Sequence, residues 1–283
     1  MIVAALGLWM TPKLEITDLV KRFPAARSAL GVGSSRTAGG GPVPDAGWLE
    51  VLNRVSLCVG QREFVTLLGP SGCGKSTLCN IVAGLIPPDS GQVLLDGVPI
   101  GPRRGQVAYM QQKDLLLPWR RVIDNAILGL EVQGLRRAEA RDEARDLLRR
   151  FGLEGFEGYY PALLSGGMRQ RVALVRTLLC RKEMIVLDEP FGALDAMTRA
   201  AMRGYLVQLV EEFDRTILFI THDVEEAILL SDRIYVMTAR PGRVRAEIAV
   251  PLARPRDPAQ ETVVRTKTEI TAVLQAEMAE AFS

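Results

Sequence analysis

The chain has 283 residues, 48% of them hydrophobic, enough to bury a full core as one large domain or two subdomains. Thirty-five Lys and Arg against 33 Asp and Glu leave a formal net charge of +2, which gives no broad basic surface for a nucleic-acid partner. Cys58, Cys73, Cys79 and Cys180 show neither CxxC nor metal-ligand spacing and predict a reduced, cytosolic setting, and no uncharged apolar run approaches the ~18 residues of a spanning helix.

In chain order, the opening MIVAALGLWM is apolar but lacks a basic n-region and a small-residue cleavage site. Residues 1–12 therefore read as an N-terminal tail rather than a signal peptide, ahead of a main body over 13–257. Residues 25–47, AARSALGVGSSRTAGGGPVPDAG, are rich in Gly, Ser and Pro with little to bury, which predicts a mobile loop. REFVTLLG (62–69) predicts a buried strand ending at glycine, and KSTLCNIVAGL (75–85) the helix after it. From 113 to 180 the pattern turns charged and helix-forming, as in RRAEARDEARDLLRRFG, and predicts a separate helical subdomain. EMIVLDEP (183–190), RTILFITH (215–222) and DRIYVMTA (232–239) predict three more strands, reached through helical stretches such as 197–213. This alternation predicts a mostly parallel sheet covered on both faces. Residues 258–283 carry Val263, Ile270, Val273 and Leu274 among charges and predict an amphipathic C-terminal helix packed on the body.

GPSGCGKST, Gly69 to Thr77, matches the pattern G-x-x-x-x-G-K-[ST] between a predicted strand and a predicted helix. Gly69, Pro70, Ser71, Gly72, Cys73, Gly74, Lys75, Ser76 and Thr77 would form a phosphate-binding loop, with successive N–H groups and the positive helix end facing one anion. Lys75 is placed to reach the β- and γ-phosphates and the Ser76 hydroxyl to ligate Mg²⁺; Cys73 reads as a small filler. The strand ending VLDEP delivers Asp188 and Glu189, one acid for a metal and the other to orient an attacking water. Adjacent acids at a strand end are usually a solvated turn, but beside a phosphate loop they predict a nucleotide hydrolase.

With these motifs in order, the chain resembles the ATP-binding cassette (ABC) ATPases over about residues 13–250. LLSGGMRQR (Leu163 to Arg171) is similar to the signature sequence of that family, and GALD (192–195) to its D-loop, with Gly192 where Ser is common. ITHD is similar to the switch-histidine segment, with His222 the only histidine of the chain, and Gln112 rather than Gln111 matches the glutamine-loop position. The resemblance implies an α/β fold: a RecA-like phosphate-loop ATPase core with a mostly parallel sheet, an antiparallel β subdomain and an inserted α-helical signature subdomain.

It also implies ATP and Mg²⁺ as ligands, with Ser76, Gln112 and Asp188 toward the metal and Glu189, His222, Lys75 and Gln112 toward catalysis. Each ATP would lie in a head-to-tail homodimer, with Ser165, Gly166, Gly167 and Asp195 acting across the interface. Phe23 stands at the position of the adenine-stacking aromatic, with Trp48 as the alternative because the loop between them is long.

LLLPWRRVIDNAILGLEVQG and LSDRIYVMTARPGRVRAEIAVPLARPRDP resemble the import ATPases of the nitrate, sulfonate and taurine group, and related importers of thiamine or pyrimidine precursors carry similar segments. That implies two membrane permease subunits, indirectly a substrate-binding protein, and a peripheral place on the cytoplasmic face of a bacterial inner membrane. Leu115 to Trp119 combine Leu, Pro and Trp in a way suited to a partner's helix, or to packing back on the helical subdomain. The competing reading is a soluble cassette acting in translation or DNA repair. Such proteins commonly carry two cassettes or a long coiled coil, and this chain has one cassette and no sustained heptads. A cassette that binds without hydrolysing is disfavoured by the presence of Lys75, Asp188, Glu189 and His222.

Overall fold

The structure, a computed structural model, describes residues 12–25, 47–101 and 105–282. The tail expected over 1–12 and the loop expected over 25–47 lie outside the described residues, except for Pro12, Ala25 and Gly47.

The first sheet is antiparallel. β1 (Leu14–Pro24) pairs with β2 (Trp48–Val59) on one side and β4 (Ser90–Leu95) on the other, and β5 (Val98–Pro99) closes it, in the order β2-β1-β4-β5. The second sheet runs β10 (Val244–Ala249), β9 (Arg233–Met237), β3 (Phe64–Leu68), β8 (Thr216–Thr221), β7 (Met184–Asp188), β6 (Ala108–Met110). It is parallel apart from the antiparallel edge strand β10. Every residue of β3, β7, β8 and β9 is buried, as expected of parallel strands covered on both faces, whose sequences read as continuous apolar runs.

The register aligns the strand ends that carry the motifs. Leu68 pairs with Thr221, Ile220 with Asp188, and Leu187 with Met110, so the loops leaving β3, β8, β7 and β6 emerge side by side. Ligands of open α/β sheets bind beyond such carboxyl ends. The strand expected over 183–190 stops at Asp188 because Glu189 has a φ of 48°, a left-handed conformation that leaves the ladder. The helix expected over 75–85 is α1 (Lys75–Val82), ended by Gly84 at φ 68°.

The charged block folds as α2 (Val122–Ala126), α3 (Leu128–Val132), α4 (Arg137–Arg150) and α5 (Gly166–Leu179). Its buried residues, among them Ala140, Leu147, Phe151 and Val172, join Phe64, Leu187 and Phe219 on one face of the parallel sheet. There the Phe219 ring lies 5.7 Å from Phe64 and 5.8 Å from Phe191. Tilted pairs of this kind contribute about 0.5–1.5 kcal/mol each beyond the area they bury. The opposite face packs through Leu67, Val186 and Ile220 against α1 and the antiparallel sheet.

α6 (Ala196–Phe213) precedes β8 and α7 (Val224–Leu230) follows it. α8 (Glu261–Phe282) lays Val263 and Ile270, with the partly buried Val273 and Leu274, against Ala227, Ile228 and Val250. The approach to α8 is pinned by Arg256, whose guanidinium donates to the carbonyls of Val250, Leu252, Ile228 and Ser231.

Candidate nucleotide site

The phosphate loop leaves β3 at Gly69 and enters α1 at Lys75. Gly72 and Gly74 have φ of 79° and 108°. A Cβ on Gly74 would lie 2.7 Å from Leu52 Cδ2 and 3.1 Å from the Val51 carbonyl, so both space and backbone require glycine there. Lys75 is buried, and its ammonium donates to the Gly69 carbonyl at 2.7 Å and the Pro70 carbonyl at 2.9 Å. The cation that could meet a phosphate is thus held by the loop's own carbonyls. Cys73 is buried beneath it, and burial pushes its thiol pKa up, against the nearby Lys75 charge; it fills space and is no nucleophile.

At the end of β7, Asp188 is buried, and that burial raises its carboxyl pKa. The hydroxyls of Ser76 and Tyr109 hydrogen-bond to it, the Lys75 charge lowers its pKa, and the Glu189 charge raises it. A buried carboxylate met by two hydroxyls, with no ion pair among the described residues, suits a divalent metal that would relieve its desolvation. Among the described residues no group of three His, Cys, Asp or Glu could hold a metal alone, so such an ion needs phosphate oxygens or water to complete its shell.

The next carboxylate is held differently. Gln112, just past β6, donates from Nε2 to Glu189 Oε2 at 3.2 Å, and His222, just past β8, places Nδ1 3.3 Å from Glu189 Oε1. Loops from the two strands flanking β7 therefore converge on one acid at its end. A carboxylate only accepts, so this contact favours a proton on Nδ1, and with that tautomer Nε2 would donate to a phosphate only from the imidazolium or after the ring turns. The ring has room to turn, being 58% exposed. A cavity of about 40 Å³ lies against Glu189, His222, Gly192, Thr221 and Glu226, room for a water or two.

Ser165 caps α5, its Oγ accepting from the Met168 N–H at 3.2 Å. A Cβ on Gly167 would lie 3.2 Å from Leu194 Cδ2, so the start of α5 packs on the segment leading to Asp195. Asp195 accepts from the Thr198 N–H at 3.0 Å and hydroxyl at 2.6 Å, bonds that lower its pKa. The hydrogen bonds of Ser165 and Asp195 therefore serve their own helix starts, leaving Ser165 and Gly166 exposed.

Phe23 pairs with Leu49, and Pro24 with Trp48, which puts the two aromatic rings on opposite faces of the β1–β2 ladder. Phe23 is half-buried against the cluster containing Cys73 and Leu52, with the Lys21 ammonium 5.5 Å from its ring, whereas Trp48 is 59% exposed.

Sequence reasoning missed three groups. Tyr109 reaches Asp188 from β6, Gln170 of α5 donates to the Glu189 carbonyl at 3.4 Å, and Arg240 donates to the Gly72 carbonyl at 3.1 Å. Each is far in sequence from its partner, and only its place beside a motif of known type could have marked it. A larger cavity, about 450 Å³, lies at the amino ends of the strands beside Arg62, Asp214, Asp232 and Arg254. Its arginines are paired, Arg62 with Asp214 at 2.8 Å and Arg254 with Asp232, and none of the motifs reaches it.

Residues 52–192 match the family model described as ABC transporter. The taurine import ATP-binding protein TauB of Rhizobium johnstonii is 45% identical over 206 residues, covering 73% of this chain and 79% of that protein. The chain belongs to the ABC transporter ATP-binding family. A second relative of this cassette, the formylaminopyrimidine import ATP-binding protein ThiZ of Halalkalibacterium halodurans, is 43% identical over 71% of this chain and 78% of its own. Among solved structures, a dimeric ATP-binding cassette in a post-hydrolysis state, bound to ADP and Pi, superposes with a TM-score of 0.70 at 27% identity. The match covers 85% of this chain and 100% of that one. The cassette is an ATPase subunit, with the α/β architecture of its family.

Proposed function

We propose that this cassette is the energy-coupling ATPase of a bacterial importer for taurine-, sulfonate- or nitrate-type or related small solutes. The observation that carries the hydrolytic part is the convergence of Gln112 and His222 on the Glu189 carboxylate, beside a water-sized cavity and one residue beyond Asp188. A carboxylate so held can align a water with the terminal phosphate, which is most of what a protein contributes to phosphoryl transfer. Asp188, Ser76 and Gln112 would hold Mg²⁺, which when bound neutralises charge on the β- and γ-phosphates. Phe23 is favoured over Trp48 for the adenine, because it lies on the face that carries the phosphate loop.

Ser165, Gly166 and Asp195 are exposed, and with Gly167 beside them they would be available to a second copy. Two ATP molecules would then lie between two subunits. The dimeric cassette bound to ADP and Pi supports this arrangement.

The import reading draws on the taurine and formylaminopyrimidine import relatives and on a surface. Trp119 is 72% exposed and Leu115 49% exposed, on a segment that the buried Asn125 fixes through the Leu117 N–H and the carbonyls of Leu117, Arg120 and Arg121. Rigid exposed aromatics on a monomeric chain mark partner surfaces. Two permease subunits would dock there, with a binding protein beyond the membrane, holding the cassette at the cytoplasmic face. Among the described residues no helix is long and apolar enough to cross a membrane, so attachment would run through the permeases. A soluble role in translation or DNA repair has only the fold in its favour. Co-expression with candidate permease and substrate-binding subunits of a taurine-type importer, followed by taurine uptake into vesicles, decides between them. ATP-dependent uptake supports import, whereas purification on ribosomes or DNA without permease supports the alternative.

A further inference from the structure

The hairpin between β9 and β10 reaches across to the phosphate loop. Its turn is held by the Thr238 hydroxyl, which lies within donating reach of the Ala239 carbonyl at 2.9 Å and the Pro241 carbonyl at 3.1 Å and accepts from the Arg243 N–H at 3.0 Å. Gly242 donates to the Val51 carbonyl at 2.9 Å and accepts from the Asn53 N–H at 3.0 Å, tying the turn to β2. A Cβ on Gly242 would stand 2.1 Å from the Cys73 carbonyl oxygen, so the turn lies against the phosphate loop itself, with no room for a side chain between them. From this seat Arg240, an exposed residue, donates its Nε–H to the Gly72 carbonyl at 3.1 Å. Among the described residues its other N–H groups have no partner.

Peptide N–H groups converge on an anion only if the carbonyls of the same loop are turned elsewhere and held there. In this chain cations hold three of them: Lys75 takes those of Gly69 and Pro70, and Arg240 takes that of Gly72. Lys75 must release its carbonyls to reach a phosphate, but Arg240 comes from another hairpin and has no such duty. The Gly72 carbonyl and the Cys73 N–H belong to one peptide unit, so a guanidinium on the oxygen fixes that unit's direction and makes its N–H, here only in a long 3.4 Å bond to the Pro70 carbonyl, a stronger donor.

We infer that Arg240 is a positioning residue for nucleotide binding, anchoring the Gly72–Cys73 peptide and adding a positive charge beside the phosphate site. The inference rests on the reading of residues 69–77 as the phosphate loop. Because the anchor acts on the loop and not on the γ-phosphate or the water, it raises affinity for MgATP and MgADP alike and has little effect on the chemical step. As a solvent-exposed guanidinium it adds little to folding stability.

The test uses the full chain with Arg240→Ala and Arg240→Lys, titrated with fluorescent analogues of MgATP and MgADP, with turnover and thermal unfolding measured in parallel. For Arg240→Ala the dissociation constants of both nucleotides and the KM for ATP should rise about five- to tenfold, the loss of one charge-assisted hydrogen bond. The kcat should fall by no more than about threefold, and unfolding without nucleotide should shift by less than about 2 °C. Lysine keeps the charge and one donor, so Arg240→Lys should recover most of the affinity. An Arg240→Ala protein that binds as the parent does would overturn the inference. So would an affinity loss that tracks a fall in thermal stability and is not recovered by lysine, since that is packing. A parent chain that binds neither nucleotide would instead overturn the reading of the phosphate loop.

Discussion

His222 follows a fully buried strand by one residue yet is 58% exposed, and its one protein contact of chemical interest is the Glu189 carboxylate. Removing a positioned group that meets charge developing in a transition state typically costs ~100-fold or more in rate. His222→Ala should therefore bind MgATP within a few-fold of the parent and lose about two orders of magnitude in kcat; parental turnover would remove the imidazole from the mechanism. Asp188 makes a prediction of opposite sign for stability and function. Burial is the main cause of its raised pKa. A carboxyl whose folded-state pKa is raised supports folding fully below the unfolded-state pKa, and that support is lost as pH rises through the folded value. At pH 7 the ionised group is a cost to the nucleotide-free protein, so Asp188→Asn should raise its Tm at pH 7. The gain should shrink as the pH is lowered into the carboxylate range. The same variant should lose most of the extra stabilisation that MgATP gives over ATP alone. A lower Tm at pH 7 would mean that the Ser76 and Tyr109 hydrogen bonds outweigh the desolvation.

At the scale of elements, the segment from Leu115 to Trp119 presents apolar side chains on a frame fixed by Asn125 and by Arg176, whose guanidinium donates to the carbonyls of Asp114 and Leu115. Trp119→Ala deletes an exposed ring from that frame and should leave the Tm within about 2 °C. Turnover of the isolated cassette should also persist, while stimulation by co-expressed permeases falls; unchanged stimulation and uptake would reduce the segment to surface. The β1–β2 hairpin gives another test. Its neck is closed by the Ala25 N–H on the Gly47 carbonyl at 2.8 Å, so replacing residues 26–46 by a short turn should cost about 1 kcal/mol or less. A loss of ATP affinity in that variant would give the segment a part in placing the adenine ring.

The elements also show what a sequence discloses. The four strands of the parallel sheet that are buried throughout were legible as apolar runs, and the loops at their ends as motifs, because both depend on near neighbours in the chain. The left-handed Glu189 that ends β7, and the contacts of Tyr109, Gln170 and Arg240, depend on register between strands or on a hairpin crossing to another sheet. No local pattern encodes those distances.

For the whole molecule, the chain completes only half of the chemistry it spells out. Lys75, Ser76 and Asp188 form one group, Gln112, Glu189 and His222 another, while Ser165 and Asp195 spend their hydrogen bonds on their own helix starts. On the proposed reading, a subunit built this way would hydrolyse ATP only when a second copy supplied its signature segment. The most direct measurement is the mass and nucleotide content of Glu189→Gln in MgATP. That change keeps the side chain's shape and removes the charge proposed to align the water. A stable dimer holding two ATP molecules is expected, with turnover reduced at least about 100-fold, reverting to monomer in MgADP. A Glu189→Gln protein that remains monomeric in MgATP and turns over at the parental rate would contradict that reading.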